Sequence, residues 1–275
     1  MINREKEASL IAKTGEHPVT KSSMVEELRA LGVQEGMTLL VHSSLSSIGW
    51  VCGGAIAVVQ ALLESVGDKG TIMVPTHSSD LSEPSLWRNP PVPESWWPII
   101  RDEMPAFDPD MTPTCYMGAI VDCFRTVPGV IRSSHPQFSF AALGPKAENL
   151  IHHHSLDLGL GEESPLARLY ELGGYVLLVG VGHERNTSLH LSEYRADYAN
   201  KEMTEFGSPI MQDGVRKWVN FRDLSLDSDD FEQIGEQFTS ELGLVREGRV
   251  GIAQALLMPQ RELVDFGAGW MTRHR

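Results

Sequence analysis

The stretch GVGHERNTSLHLSEYRA, Gly180–Ala196, holds His183 and His190 seven residues apart, with Glu193 three residues beyond the second. Histidine has a reference pKa of about 6.5 and is the usual general base near neutral pH. Either imidazole could therefore take a proton from an attacking amine or hydroxyl. His183-Glu184 is also the first half of the zincin motif HExxH. That motif needs its second histidine four residues on, so that both ligands meet one metal from one side of a helix. Position 187 is Thr, and the run leaves a strand, so the zincin reading fails. The tract His152–His154 is richer in ligands. Neighbouring helix side chains point about 100° apart, so three in a row do not converge on one ion. It reads as a solvated surface tract, and no metal is expected. A single helix histidine is more often structural than catalytic, so spacing alone leaves His183 and His190 open.

A nucleophile is the second option. Ser43 and Ser44 in VHSSLSSIGW follow an apolar run and sit beside His42. A covalent serine hydrolase would need such a residue, but no GxSxG elbow is present. Ser43, Ser44, Ser46 and Ser47, with Gly49 nearby, read better as hydroxyls and N–H groups that cradle an oxyanion such as a pyrophosphate. The loop lacks the Gly-Lys-Ser/Thr end of a Walker A motif.

These residues need elements to position them. TLLVH (Thr38–His42) and TIMVP (Thr71–Pro75) read as buried strands, and GAIAVVQALLESVG (Gly54–Gly67) as a buried helix between them. Together they make the strand–helix–strand unit of an α/β fold with a parallel pair. SSMVEELRALG (Ser22–Gly32) reads as a helix with Ser23 and Glu26 at capping-box spacing and Gly32 at its end. Ser164 and Pro165 open a further helix. YVLLVGV (Tyr175–Val181) is the strongest core strand, and a helix follows from Thr187 or Ser188. MQDGVRKWVNF reads as a polar hairpin turning at Asp213-Gly214, and DSDDFEQIGEQFTSEL as an amphipathic helix with an acidic start. In open α/β sheets ligands collect outside the carboxyl ends of strands, which is where His183 and His190 fall. Between Pro84 and Pro113 lie eight of the sixteen prolines and three of the six tryptophans, Trp87, Trp96 and Trp97. Proline excludes regular structure there, and a long ordered loop in a compact domain is usually functional.

The 275 residues are read as one domain, with 41% hydrophobic and 22% charged residues, enough to bury a core. No apolar run approaches the roughly 18–20 residues that span a bilayer. The N-terminus has no signal-peptide core, and its acidic residues disfavour a transit peptide. Cys52, Cys115 and Cys123 form an odd set without CxxC spacing, which suits a reducing compartment. The expected protein is cytoplasmic, without a membrane partner, and a monomer or homodimer. A net charge of −14 disfavours nucleic acid. It suits a cationic substrate, although acidity also serves solubility.

Three blocks give the chain a specific resemblance: LLVHSSLSSIGWVCGGAIAVVQALLESVGDKGTIMVPT, VIRSSHPQFSFAALGPKA and GEESPLARLYELGGYVLLVGVGHERNTSLHLSEYRA. They span most of residues 38–196. FRDLSLDSDDFEQIG and QRELVDFGAGW follow in the same order. The sequence resembles the aminoglycoside N-3-acetyltransferase family. The resemblance implies a three-layer α/β/α fold with a largely parallel or mixed central sheet, plus the small polar hairpin, unrelated to the GNAT acetyltransferases. It implies acetyl transfer from acetyl-coenzyme A to the 3-amino group of an aminoglycoside, hence antibiotic resistance, with no metal. The histidine of NTSLH, His190, is the expected base, and His183 a neighbour. The resemblance places coenzyme A contacts at His42, Ser43, Ser44, Leu45, Ser46 and Ser47, with further walls from Thr76, Ser133 and Ser139. Asp223 is the expected carboxylate partner of His190, although Glu193, at i+3, is also in reach. Glu193, Asp80, Asp102, Glu163, Asp227 and Asp229 are expected to bind ammonium groups of the substrate. The rival readings are an acetyltransferase acting on another amine metabolite, and a serine hydrolase using Ser43 or Ser44 or a non-catalytic coenzyme A binder.

Overall fold

The computed structural model describes residues 4–275. The apolar runs form the centre of a sheet because their side chains alternate between two faces, both of which are covered. We number the strands β1 (Thr38–Ser43), β2 (Thr71–Pro75), β3 (Ile131–Arg132), β4 (Phe140–Leu143), β5 (Tyr175–Val179), β6 (Met203–Gln212), β7 (Val215–Leu224), β8 (Arg246–Val250) and β9 (Ala253–Pro259). Seven of them form one sheet in the order β3-β4-β2-β1-β5-β9-β8. β1 runs parallel to β2 and to β5. The flanking pairs β2–β4, β3–β4, β5–β9 and β8–β9 are antiparallel. The sheet is therefore mixed, with a parallel centre.

Leu39, Val41, Ile72, Val74, Leu177 and Val179 face one apolar layer, completed by the helices Lys21–Leu31, Gly54–Val66 and Ala119–Arg125. The alternate residues Leu40, Met73, Val176 and Leu178 face the other. That layer is built by the helices Pro165–Glu171, Ser188–Arg195, Phe231–Leu242 and Gln260–His274. This is the expected α/β/α arrangement. The hairpin β6–β7 stands apart as a two-stranded sheet. It turns at Asp213 and Gly214, whose φ values of 53° and 75° suit the type I′ turn that Asp-Gly favours.

Two local expectations are corrected. The first long-sheet helix is capped by Thr20 rather than Ser23. Thr20 Oγ1 accepts from Ser23 N–H at 3.1 Å, and Ser23 Oγ accepts from Thr20 N–H at 3.1 Å. The Pro/Trp-rich segment is also not wholly irregular, since Trp97–Glu103 is helical with Pro98 in its first turn, where proline is tolerated. The segment is strapped down instead of swinging free. Arg132 donates to the carbonyls of Thr112 (2.6 Å) and Thr76 (2.7 Å), Phe107 N–H donates to Pro209 O (2.9 Å), and Arg216 donates to Met104 O (2.9 Å).

The parallel centre decides where chemistry can occur. The carboxyl ends of β1, β2 and β5 open on one edge of the sheet and deliver, in turn, His42 and Ser43, Thr76 and His77, and the run from Gly180 to His190. That is the edge where open α/β sheets place their ligands.

Candidate active site

A cavity of about 1220 Å³ opens at this edge. His42, Ser43, Ser44, Leu45 and Ser46 line it from the β1 side, and His77, Tyr116 and Met117 from the β2 side. Gly180, Glu184, Arg185, Asn186 and His190 line it from the β5 side, with Ser228 and Phe231 closing it. A second cavity of about 960 Å³ shares Leu10, Leu45 and Ser46 with the first, so the two meet at the serine loop.

His190 sits in the helix Ser188–Arg195, and its Nδ1 lies 2.5 Å from Glu193 Oε2. The i+3 spacing puts both side chains on one helix face. Glu193 is wholly buried. Its other oxygen, Oε1, accepts from Asp227 N–H at 2.9 Å and from Arg275 Nη1 at 2.8 Å. With Glu193 accepting at Nδ1–H, Nε2 is the nitrogen that faces a ligand in the cavity, and in a neutral imidazole it carries the lone pair a base needs. The ring of Phe231 packs against His190 edge-on, 4.8 Å between centroids.

Two more imidazoles border the cavity. Burial, reinforced by the nearby His190, pushes His42 down to about 3. Burial first, then His190 and its neighbours, pushes His77 down to about 3. Both rings are thus uncharged at neutral pH and add no cation beside His190. His42 Nε2 and His77 Nε2 are buried without a hydrogen-bond partner.

His183 has a packing role. It is buried, its backbone N–H donates to Glu232 Oε2 at 2.8 Å, and burial pushes its ring down to about 4. The ring lies flat across Gly235 of the helix Phe231–Leu242. A Cβ there would fall 2.1 Å from His183 Cγ. Gly235→Ala should therefore cost about 1–3 kcal/mol through overpacking, read as a lowered denaturant midpoint. His183→Ala in the same chain should recover part of the loss by removing the obstruction. Equal stability of Gly235→Ala and wild type would refute this packing role.

Several expected site residues lie elsewhere. Asp223 does not reach His190. It is a buried residue of the hairpin strand β7, where it accepts from Tyr194 Oη, Gly159 N–H (2.8 Å) and Leu224 N–H (2.7 Å). These bonds fasten β7 to the helix that carries His190. Glu193, expected to hold substrate, is the carboxylate bonded to His190 and faces away from the cavity lining. Thr76, Ser133 and Ser139 are buried and structural. Thr76 Oγ1 donates to Ser139 Oγ at 3.1 Å, and His154 Nδ1 pairs with Ser133 Oγ at 2.9 Å. Ser47 donates to Ser44 Oγ at 2.9 Å and stands behind the lining. Asp80, Asp102, Glu163, Asp227 and Asp229 are exposed and outside the lining. The tract His152–His154 divides: His152 and His153 are exposed, while His154 is buried and bonded to Gly159 O at 2.5 Å. The segment Pro84–Pro113 contributes no lining residue; it is bonded to the hairpin through Met104 and Phe107 and to Arg132 of β3 through Thr112. Sequence reasoning missed Arg275, which no motif marks, and passed over Glu184 and Tyr116. Tyr116 is 95% exposed with a left-handed φ of 59°, the kind of backbone that collects at functional sites.

Fold and site together define an α/β protein with a histidine–carboxylate pair at the carboxyl edge of its parallel strands. The family model for aminoglycoside 3-N-acetyltransferases matches residues 40–272, and the chain belongs to that family. A curated relative, the SPbeta prophage-derived aminoglycoside N(3')-acetyltransferase-like protein YokD of Bacillus subtilis, is 46% identical over 94% of this chain and 95% of its own. Its crystal structure superposes with a TM-score of 0.94 at 45% identity, covering 97% of this chain and 98% of that one. Aminoglycoside N(3)-acetyltransferase VII of Streptomyces paromomycinus is 37% identical over 95% of this chain and 94% of its own. A solved AAC-IIIb binary complex with CoASH has a TM-score of 0.84 at 31% identity, covering 94% of this chain and 97% of that one. No helix among the described residues is long and apolar enough to cross a membrane.

Proposed function

We propose that this enzyme transfers the acetyl group of acetyl-coenzyme A to the 3-amino group of an aminoglycoside in the cytoplasm, with His190 as general base. The observation that carries the reading is the His190–Glu193 pair, with its free Nε2 in a cavity shared with the serine loop. The donor reading is supported by the CoASH bound to a relative and by the two cavities meeting at Leu45 and Ser46.

The chemistry follows from the geometry. An amine is protonated in water and must lose a proton before or during its attack on the thioester. The ammonium sheds this first proton to solvent, and His190 Nε2 takes a second one from the nitrogen as the neutral amine bonds to the acetyl carbon. Glu193 holds the imidazole in the tautomer with Nδ1–H, as the carboxylate of a triad does. The C–S bond then breaks, and the leaving thiolate takes the proton back from His190. The thioester is already activated, so no acetyl-enzyme is needed. Holding both substrates in one cavity supplies much of the rate. The serine-hydrolase rival loses support locally: Ser44 Oγ is engaged by Ser47 and Ser46 and not by an imidazole.

The acceptor is tested by thiol release. Free thiol should appear from acetyl-coenzyme A only when an aminoglycoside is added. Raising salt should raise the KM for the aminoglycoside and affect that for acetyl-coenzyme A much less. The −14 surface attracts the polycation through a field screened within about 10 Å at 0.1 M salt. A second reading, an amine carrying fewer charges, is favoured by one observation. Among the described residues Glu184 is the one carboxylate in the lining. Thiol release with simple amines and none with any aminoglycoside would replace the first reading by the second.

A further inference from the structure

Resting on the reading of His190 as base, the geometry points to a role for Arg275, the residue that grips the far side of Glu193. A base must begin its cycle without a proton. A buried carboxylate bonded to an imidazole works against this, because an opposite charge within about 4–6 Å favours the charged form of a group. Left alone, Glu193 would orient His190 and at the same time trap a proton on it. We propose that Arg275 is a positioning residue that holds Glu193 against His190 Nδ1 and balances the carboxylate's charge, so that His190 is oriented without being kept protonated.

The two partners use opposite oxygens of Glu193. His190 meets Oε2, and Arg275 Nη1 meets Oε1 at 2.8 Å, 82 residues away in sequence. The guanidinium is itself fixed on all sides. Nε and Nη2 form a fork on Asp230 at 2.7 and 2.6 Å, Nη2 also donates to Asp227 O at 2.7 Å, and the ring of Tyr198 lies 5.4 Å beneath it. Such a planar fork is a grip that lysine does not reproduce. Burial opposes the guanidinium's charge, but its bonds to Asp230 and Glu193 outweigh that and hold its proton more tightly than usual. Asp227 N–H, at 2.9 Å, adds a neutral donor on Oε1.

Lys201 also feels the charge of Glu193, but its ammonium is spent on the carbonyls of Tyr194 (2.7 Å) and Ala196 (2.8 Å), and the other groups around His190 do not replace the cation that Arg275 supplies. His42 at the end of β1 and His77 after β2 are uncharged at neutral pH. Glu184 and Arg185 in the cavity wall pair loosely with each other at 3.9 Å and are both well exposed. Phe231 contributes only its ring. Asp230 shares Arg275 with Glu193, so the cation is divided between two carboxylates.

The test compares Arg275→Met, Arg275→Lys and Asp230→Asn with wild type. The first readout is the pH profile of thiol release. The second is an NMR titration of the imidazole resonance that disappears in His190→Ala, and it needs no substrate. Arg275→Met should lose about tenfold or more of kcat at pH 7, with KM for acetyl-coenzyme A nearly unchanged. It should recover much of that at higher pH, with the acidic limb of the profile and the NMR midpoint both moved up by about one pH unit or more. Arg275→Lys keeps the charge without the fork and should fall between. Asp230→Asn gives Arg275 wholly to Glu193, and its limb should not move up. If Arg275→Met does not fold, the lysine and asparagine variants decide by the same limb and midpoint. A folded Arg275→Met whose limb and midpoint match wild type, or whose loss is equal at every pH, overturns the proposal. If wild type releases no thiol with any amine, the functional reading fails, while the NMR midpoint still decides the role of Arg275.

Discussion

Replacing His190 with alanine is expected to lower turnover by about 10²- to 10⁴-fold, the range that base catalysis contributes, while acetyl-coenzyme A still binds. His190 is itself part of the lining, and its replacement leaves the other walls in place. Its contacts are Glu193 on its own helix and Phe231. Glu193→Gln should also be costly. A neutral amide cannot hold the imidazolium that forms during the reaction, and it presents Arg275 with no charge to meet. His183→Ala should keep most of its turnover per folded molecule, because that ring packs on Gly235 and stays out of the lining. Steady-state thiol release at saturating acetyl-coenzyme A decides the matter. A His190→Ala enzyme that keeps more than about a third of wild-type turnover would mean that another group takes the proton, since even the lower end of that range would be missing.

The second large effect is on stability in acid. Burial pushes His42 and His77 down to about 3 and His135 and His183 down to about 4, and it holds His154 well below its ordinary value. In the unfolded chain each would titrate near its ordinary value of about 6.5. Each group is thus depressed in the folded state. Between about pH 6.5 and pH 4 the unfolded chain binds protons that the native protein refuses. The stabilisation is fully present above about pH 6.5 and is lost as pH falls towards the folded values. One group removes about 1.4 kcal/mol per pH unit at full slope, and the five act in the same direction. A net stability of about 5–15 kcal/mol would be consumed within a few pH units. Asp223 works the other way, since burial raises it, but it is one group against five. Urea unfolding at pH 7.5, 6.0 and 5.0 should show a steep loss. Equal stability at pH 7.5 and 5.0 would show that these rings are hydrated or protonated in the native state.

The strands were legible because their evidence is local. Thr38–Val41 and Tyr175–Val179 are apolar on both faces, and Ser164-Pro165 opens its helix as read, with Ser164 Oγ accepting from Leu166 N–H at 3.2 Å. Asp213-Gly214 marked its turn for the same reason. The site was legible only in part. His190 lies in a quotable motif. Its carboxylate partner was placed wrongly, because a sequence shows that Glu193 and Asp223 are both acidic but not which one is buried beside the ring. Asp223 stands near the end of the polar strand β7 and has the look of a free acid, yet packing spends it on Tyr194 and two backbone donors. Thr76, Ser133 and Ser139 were misplaced for a related reason. Hydroxyls that line a ligand and hydroxyls that satisfy a buried arginine or histidine are the same residue types in the same polar loops. Arg275 carries no local signal, because its partners lie at positions 193, 227 and 230.

The parts of the site come from distant stretches of chain: His42 from the first strand of the sheet, His190 and Glu193 from the middle, Phe231 and Arg275 from the last helices. Several long loops must therefore be closed before the pieces meet, each at a cost in chain entropy. The helix Phe231–Leu242 seats only where Gly235 clears the ring of His183, so the arrival of Phe231 at His190 waits on correct docking of that helix. Enzymatic activity therefore reports that all of these distant segments have docked together, which a probe of any single strand or helix does not.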